Sequence, residues 1–216
     1  MERLHISRSL PVCFLVLSFA VSSVWAVDPS RRISQYGHTS WRIQDGVFGG
    51  EPMAISQTTD GYLWIATLAG LVRFDGVRFV SWTPADGKRL PSSRVFSAMG
   101  GSDGSLWIGT AAGLARWQNG QLVNYPGTGR YVNAIIEDRN GTVWIALTRG
   151  DHPLCQVADI KTICYGQADG IPFPYASASA LTDDSLGNLW IAGASLLARW
   201  TPSSSTTILS CRIENW

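Results

Sequence analysis

From about residue 53 onward the chain is written as short apolar runs, at 53–57, 62–67, 71–74 and 77–82, broken by Asp-Gly pairs at Asp60-Gly61 and Asp75-Gly76. No window repeats its apolar residues at helical spacing, so the runs predict strands and the pairs predict tight hairpin turns with positive φ. Neighbouring residues alternate sides in a strand, which puts Leu63 and Ile65 on one side and Trp64 and Ala66 on the other. Both sides are apolar. Such strands belong to a sheet covered on both faces.

The same pattern then recurs. Asp60, Gly61, Trp64, Gly70 and Arg73 return 43 positions later as Asp103, Gly104, Trp107, Gly113 and Arg116. A third copy has Asn140, Gly141, Trp144 and Gly150, with Pro153 at the arginine position. A fourth has Gly187, Trp190 and Arg199, with Leu196 at the glycine position. The second turn of the second copy falls at Asn119-Gly120. Four strands in a period near 43 residues is the unit of a β-propeller blade. The predicted fold is therefore all-β, a partial propeller of about four blades, each a four-stranded antiparallel sheet. Blades are expected near 53–82, 95–125, 131–165 and 177–200, within a propeller region at 27–200. The tryptophans wedge between blades, and Arg73, Arg116 and Arg199 stack with them.

The joins between blades carry their own signature. Trp82 precedes Asp86-Gly87 by four residues, Tyr165 precedes Asp169-Gly170, and Trp41 precedes Asp45-Gly46 before any repeat has begun. Residues 38–42 thus read as an orphan outer strand. No repeat landmark follows Trp200, so 201–216 reads as a non-repeat tail and the fourth blade is expected to hold only its inner three strands.

Composition narrows the function. Lys plus Arg number 17 and Asp plus Glu 16, so there is no basic excess to neutralise a nucleic acid backbone. With 45% hydrophobic and 15% charged residues the chain is not intrinsically disordered. Arg3 and Arg8, the apolar residues 10–20 and Ala26 after Val24 give 1–26 the pattern of a secretory signal peptide; the apolar run is too short to span a bilayer. An exported chain, periplasmic or extracellular and without a membrane span, is expected.

These repeats, and the entry segment Gln35, Tyr36, Gly37, His38, Thr39, Ser40, Trp41, resemble the two-component regulator propeller repeat family. The resemblance implies the sensor region of a histidine-kinase or hybrid signalling protein, acting by binding and with no cofactor. It also implies, as partners, further C-terminal blades and an output domain, and as ligand a glycan fragment or other small extracellular molecule. The reading is that of a truncated sensor region. Its alternatives are a propeller enzyme acting on glycans, a lyase or hydrolase, and a self-contained four-bladed binding protein.

Propeller geometry gathers the joining loops and the second-to-third strand loops on one face. That places Lys88, Arg94, Arg130, Tyr131, Arg149, His152 and Tyr175 as candidate ligand contacts. Ordinary solvated loop residues are the alternative for each. Cys155 and Cys164 flank a predicted hairpin; if its turn is Asp159-Ile160 they lie opposite one another, with Cβ atoms about 4.5–5.5 Å apart. A disulfide or two buried thiols fit that placement, and export favours the disulfide. Cys211 is left over. No pair of His or Cys has zinc spacing, so neither a catalytic nor a metal site is assigned. Arg149-Gly150-Asp151 and Asn140-Gly141-Thr142 match short recognition motifs, but Gly150 and Asn140 are already required by the repeat.

Overall fold

The structure, a computed structural model, describes residues 32, 34, 37, 39–148, 150–173, 178–194 and 196–202, and the backbone of 210–212. The segment expected as a signal peptide lies outside the described residues, as do His38, Arg149 and Tyr175. Two compact units are present: Met1–Ser40, in whose described residues there is no strand, and Trp41–Trp216, which contains all the described strands.

The second unit is an all-β propeller fold of four antiparallel blades. Blade one holds β1 (Pro52–Gln57), β2 (Leu63–Thr67), β3 (Gly70–Phe74) and β4 (Phe79–Trp82). Blade two holds β5 (Val95–Gly100), β6 (Leu106–Thr110), β7 (Gly113–Gln118) and β8 (Gln121–Tyr125). Blade three holds β9 (Tyr131–Glu137), β10 (Val143–Thr148), β11 (Leu154–Ala158) and β12 (Lys161–Tyr165), and blade four β13 (Ala178–Asp183), β14 (Leu189–Gly193), β15 (Leu196–Trp200) and β16 (Ser210–Arg212). Each sheet is a simple meander, and the first strands of successive blades pack side by side.

Two segments differ from the sequence reading. Ser210–Arg212 pairs with β15, Leu197 opposite Cys211, so the tail supplies a fourth strand to blade four. Residues 39–42 form no strand. They lack a ladder partner, yet Trp41 lies 5.8 Å from the Phe74 ring and 5.1 Å from Phe79, against the outward face of blade one. The following 3-10 turn, Ile43–Asp45 with Gly46 left-handed, repeats that of Gln167–Asp169 with Gly170. In both, the aspartate carboxylate accepts the N–H three residues back, at 2.7 and 2.8 Å. The shared signature therefore encodes a joining segment, not an orphan strand.

The hairpin turns also divide into two kinds. Asn119-Gly120 is the expected two-residue turn, both φ angles positive and Gln118 paired with Gln121. Asp60-Gly61 instead ends a four-residue turn closed by Gly61 N–H to Thr58 C=O at 2.9 Å, and only the glycine has positive φ. The residue opening that turn reaches the repeated tryptophan. Trp64 Nε1 donates to Thr58 Oγ1 at 2.9 Å, Trp144 Nε1 to Asp138 Oδ2 at 2.9 Å and Trp190 Nε1 to Asp184 Oδ2 at 3.0 Å.

These indoles fill the seams between blades. Trp64 meets Trp82 and, across the seam to blade two, Trp117, both at 5.8 Å; Trp144 meets Tyr165 at 5.9 Å and, across the seam to blade four, Trp200 at 5.7 Å. Arg73 lies 4.4 Å from the Tyr62 ring centroid and Arg116 5.1 Å from that of Trp107, so these guanidiniums stack on the blade aromatics. The glycine slot needs a backbone few residues adopt: Gly113 has φ +133° and a Cβ there would meet Thr128 Oγ1 at 2.6 Å.

One turn holds a carboxylate whose hydrogen bonds should make folding pH-dependent. Asp184 accepts from the Asn188 amide, the Trp190 indole and the backbone N–H groups of Asn188 and Leu186. The Asn188 amide first, then the indole, hold its carboxyl well below the ordinary value of 3.8. A depressed folded value means the stabilisation is complete above 3.8 and is lost as acid carries the pH below it toward the folded value. Urea unfolding at pH 7 and pH 3 should show a smaller acid-induced loss in Asp184→Asn than in the parent. Parallel losses would remove Asp184 from the acid response.

Candidate functional site

The face bearing the blade joins is shaped by one irregularity that recurs in every blade. The pairing of the first and second strands slips once, skipping Met53, Phe96, Asn133 and Ser179. Such bulges re-aim a side chain and end regular pairing. Asn133 uses this freedom to donate from Nδ2 to Thr148 Oγ1 and, at 3.2 Å, to the Ala178 carbonyl of blade four. Ser97 Oγ likewise donates to the Val132 carbonyl at 2.8 Å, tying blade two to blade three.

Phe96, the bulge residue of β5, organises an aromatic and basic cluster at the start of the inner strands. Its ring lies 5.3 Å from Tyr131 at 62°, and the Arg94 guanidinium lies 5.5 Å from its centroid. The Arg94 backbone is fixed by its N–H to Ser92 Oγ at 3.1 Å and by its carbonyl, which accepts Ala111 N–H at 2.9 Å. Arg130, next to Tyr131, lays its guanidinium over Gly150 in space that a Cβ there would fill. Two guanidiniums and two half-buried rings thus come from the joins and first strands of adjacent blades.

Of the candidate contacts, the structure brings Arg94 and Tyr131 together through Phe96, with Arg130 beside Tyr131. His152 is exposed and lies against Gly166, beyond the outer strand of blade three. Lys88 has a different role. Its Nζ donates to the Leu122 carbonyl at 2.8 Å, while Asp86 Oδ2 accepts Leu122 N–H at 3.2 Å and lies 3.5 Å from Nζ. The pair covers both backbone groups that Leu122 presents at the free edge of β8, a position that otherwise invites strand addition. The Leu122 N–H is the main reason that the Asp86 carboxyl sits below its usual range.

Sequence reasoning passed over Phe96, because the strand slip that turns it toward Tyr131 leaves no residue signature. It also passed over the grooves on the opposite, hairpin face. One, of about 550 Å³, lies between blades three and four and is lined by Asp138, Trp144, Gln156, Tyr165 and Asp183. Its Gln156 stands opposite Trp144, where Arg116 stands opposite Trp107. Among the described residues no helix is long and apolar enough to cross a membrane, and no group of three or more His, Cys, Asp or Glu could hold a metal.

Residues 89–112 and 126–149 each match the family of the two component regulator propeller. Over these two segments the chain is similar to two-component regulator propeller repeats. Both matched segments run from a blade join through the repeated tryptophan, Trp107 in one and Trp144 in the other, to the end of the second strand. No curated protein matches the chain by sequence.

Among solved structures, the extracellular domain of a hybrid two component system from B. thetaiotaomicron is similar, at 18% identity and TM-score 0.67. The match covers 82% of this chain and 26% of that one. The extracellular domain of a one component system from the same organism gives 22% identity and TM-score 0.59, over 74% of this chain and 24% of that one. Virginiamycin B lyase from Staphylococcus aureus gives 17% identity and TM-score 0.61, over 76% of this chain and 56% of that one. The likeness is one of fold, shared by extracellular domains of signalling systems and an enzyme alike. The chain spans about a quarter of those two extracellular domains and just over half of the lyase.

Proposed function

We propose that this chain is a ligand-binding propeller module of an exported two-component sensor, acting through binding and without chemistry of its own. The observation that carries the reading is the Arg94, Phe96 and Tyr131 cluster on the join face of a chain built from these repeats. Aromatic faces beside guanidinium donors suit a glycan fragment, whose C–H faces stack on rings and whose hydroxyls accept hydrogen bonds. Export rests on the leader-like residues 1–26. Further blades and an output domain, as in the relatives that this family name describes, would convert binding into a signal.

The test is calorimetric titration of the purified chain with a panel of neutral and acidic oligosaccharides, alongside Phe96→Ala and Tyr131→Ala. The expected result is binding by the parent that either substitution weakens about tenfold or more, an effect of the size of one stacking contact on each ring. Unchanged affinity in both variants would remove the cluster from the site. Release of shorter saccharides during incubation would replace a binding module with an enzyme.

A further inference from the structure

We infer that a second cleft on the join face, between blade one and the segment joining it to blade two, binds a small organic carboxylate with an aryl or alkyl group. The cleft has a volume of about 600 Å³, within the range of small-molecule sites. Leu71, Trp82 and Leu90 give it an apolar lining, and Arg89 and Ser92 stand among its polar residues. No carboxylate is among the lining residues.

The walls are held in place before any ligand arrives. Trp82 is fixed by the rings of Trp64 and Trp117, at 5.8 and 5.9 Å. The joining segment is pinned to β8 at three points: Asp86 to Leu122 N–H, Lys88 to the Leu122 carbonyl, and the Arg89 carbonyl to Asn124 Nδ2 at 3.0 Å. A preformed site loses little conformational freedom on binding.

Charge decides what the cleft selects. Lys88 is taken up by Asp86 and the Leu122 carbonyl. The Arg89 guanidinium is exposed and has no partner among the described residues, for only the backbone of that residue is engaged. Ser92 Oγ accepts Arg94 N–H, which leaves its own O–H to donate. A free guanidinium fork and a hydroxyl donor beside an apolar lining match a carboxylate attached to a hydrophobic body. The lining shares no residue with the Arg94, Phe96 and Tyr131 cluster and is linked to it only through the Arg94 backbone N–H that Ser92 Oγ accepts.

The experiment follows tryptophan fluorescence and calorimetric heat as the full chain is titrated with phenylacetate, phenylacetamide and acetate. Phenylacetate should bind, and the neutral amide and the bare anion should each bind at least about tenfold more weakly, since one loses the charge-assisted bond and the other the apolar burial. Arg89→Gln should weaken phenylacetate by about tenfold or more. Because Arg89 holds the fold only through its backbone, that variant should melt with the parent, and Phe96→Ala should bind phenylacetate as the parent does. Absence of phenylacetate binding, equal binding of the amide, or unchanged affinity in a folded Arg89→Gln would each overturn the inference.

Discussion

Trp144→Ala should cost the chain about 3–5 kcal/mol of folding stability, and Trp190→Ala less than half as much. The two residues occupy the same slot of successive blades and make the same hydrogen bond, indole N–H to an aspartate Oδ2 at 2.9 and 3.0 Å. What separates them is the next blade. Trp144 is 2% exposed, enclosed by Tyr165 of its own blade, Trp200 of blade four, and the buried Ile171 and Phe173 of the join. Trp190 is only half-buried: Thr182, Arg199, Ala192 and Leu197 share its face of blade four, and no described strand lies beyond. The polar contribution cancels in the comparison, so the difference in urea midpoint between the two variants measures the burial supplied by a neighbouring blade. Equal losses, with a midpoint that rises with protein concentration, would mean that association covers the Trp190 face in solution.

Loss of the Cys155–Cys164 disulfide should cost about 2–3 kcal/mol. The two residues face one another across β11 and β12, with Cα atoms 4.0 Å apart and a sequence separation of nine. The bond closes a hairpin whose turn is a poor one. Asp159 takes positive φ where blade two has Asn119-Gly120, and Ile160 follows it, 63% exposed. Cys155 itself is fully buried against Val132, Ile145 and Leu147, so the double substitution Cys155→Val, Cys164→Val keeps the apolar packing and removes only the link. Its thermal midpoint should match that of the parent held in a thiol-free phosphine reductant, both well below that of the oxidised parent. A reduced parent that melts with the oxidised one would assign the hairpin's stability to packing alone.

Much of the propeller was legible in single residues because each blade repeats one solution. A tryptophan that recurs with Asp-Gly four residues before it and Arg nine after it marks a strand, its turn and its partner strand at once. The orphan strand at 38–42 and the missing fourth strand were misread for one reason: both lie where the repeat is imperfect. Trp41 carries the mark of a blade join, but whether such a segment pairs depends on a partner strand being within reach. Ser210–Arg212 carries no mark at all and pairs because β15 presents it an open edge.

The candidate site was less legible. Arg94 and Tyr131 were within reach of a rule that puts polar and aromatic residues on the join face. Lys88 obeyed the same rule, yet its charge is consumed by Asp86 and the edge of β8, 34 residues further on. Its neighbour Arg89 has no side-chain partner among the described residues.

By itself, the sequence determined the all-β class, the blade count and the tryptophan slots, and it set Cys155 opposite Cys164 on the condition of a turn at Asp159-Ile160. All of these follow from local periodicity and from turns closed within a few residues. Only the tertiary structure decided which tryptophan is enclosed, which cation is captured at a strand edge and which side chain a bulge turns toward the inner strands. Those outcomes depend on groups brought together from different blades, and no local pattern records what a neighbouring blade will cover.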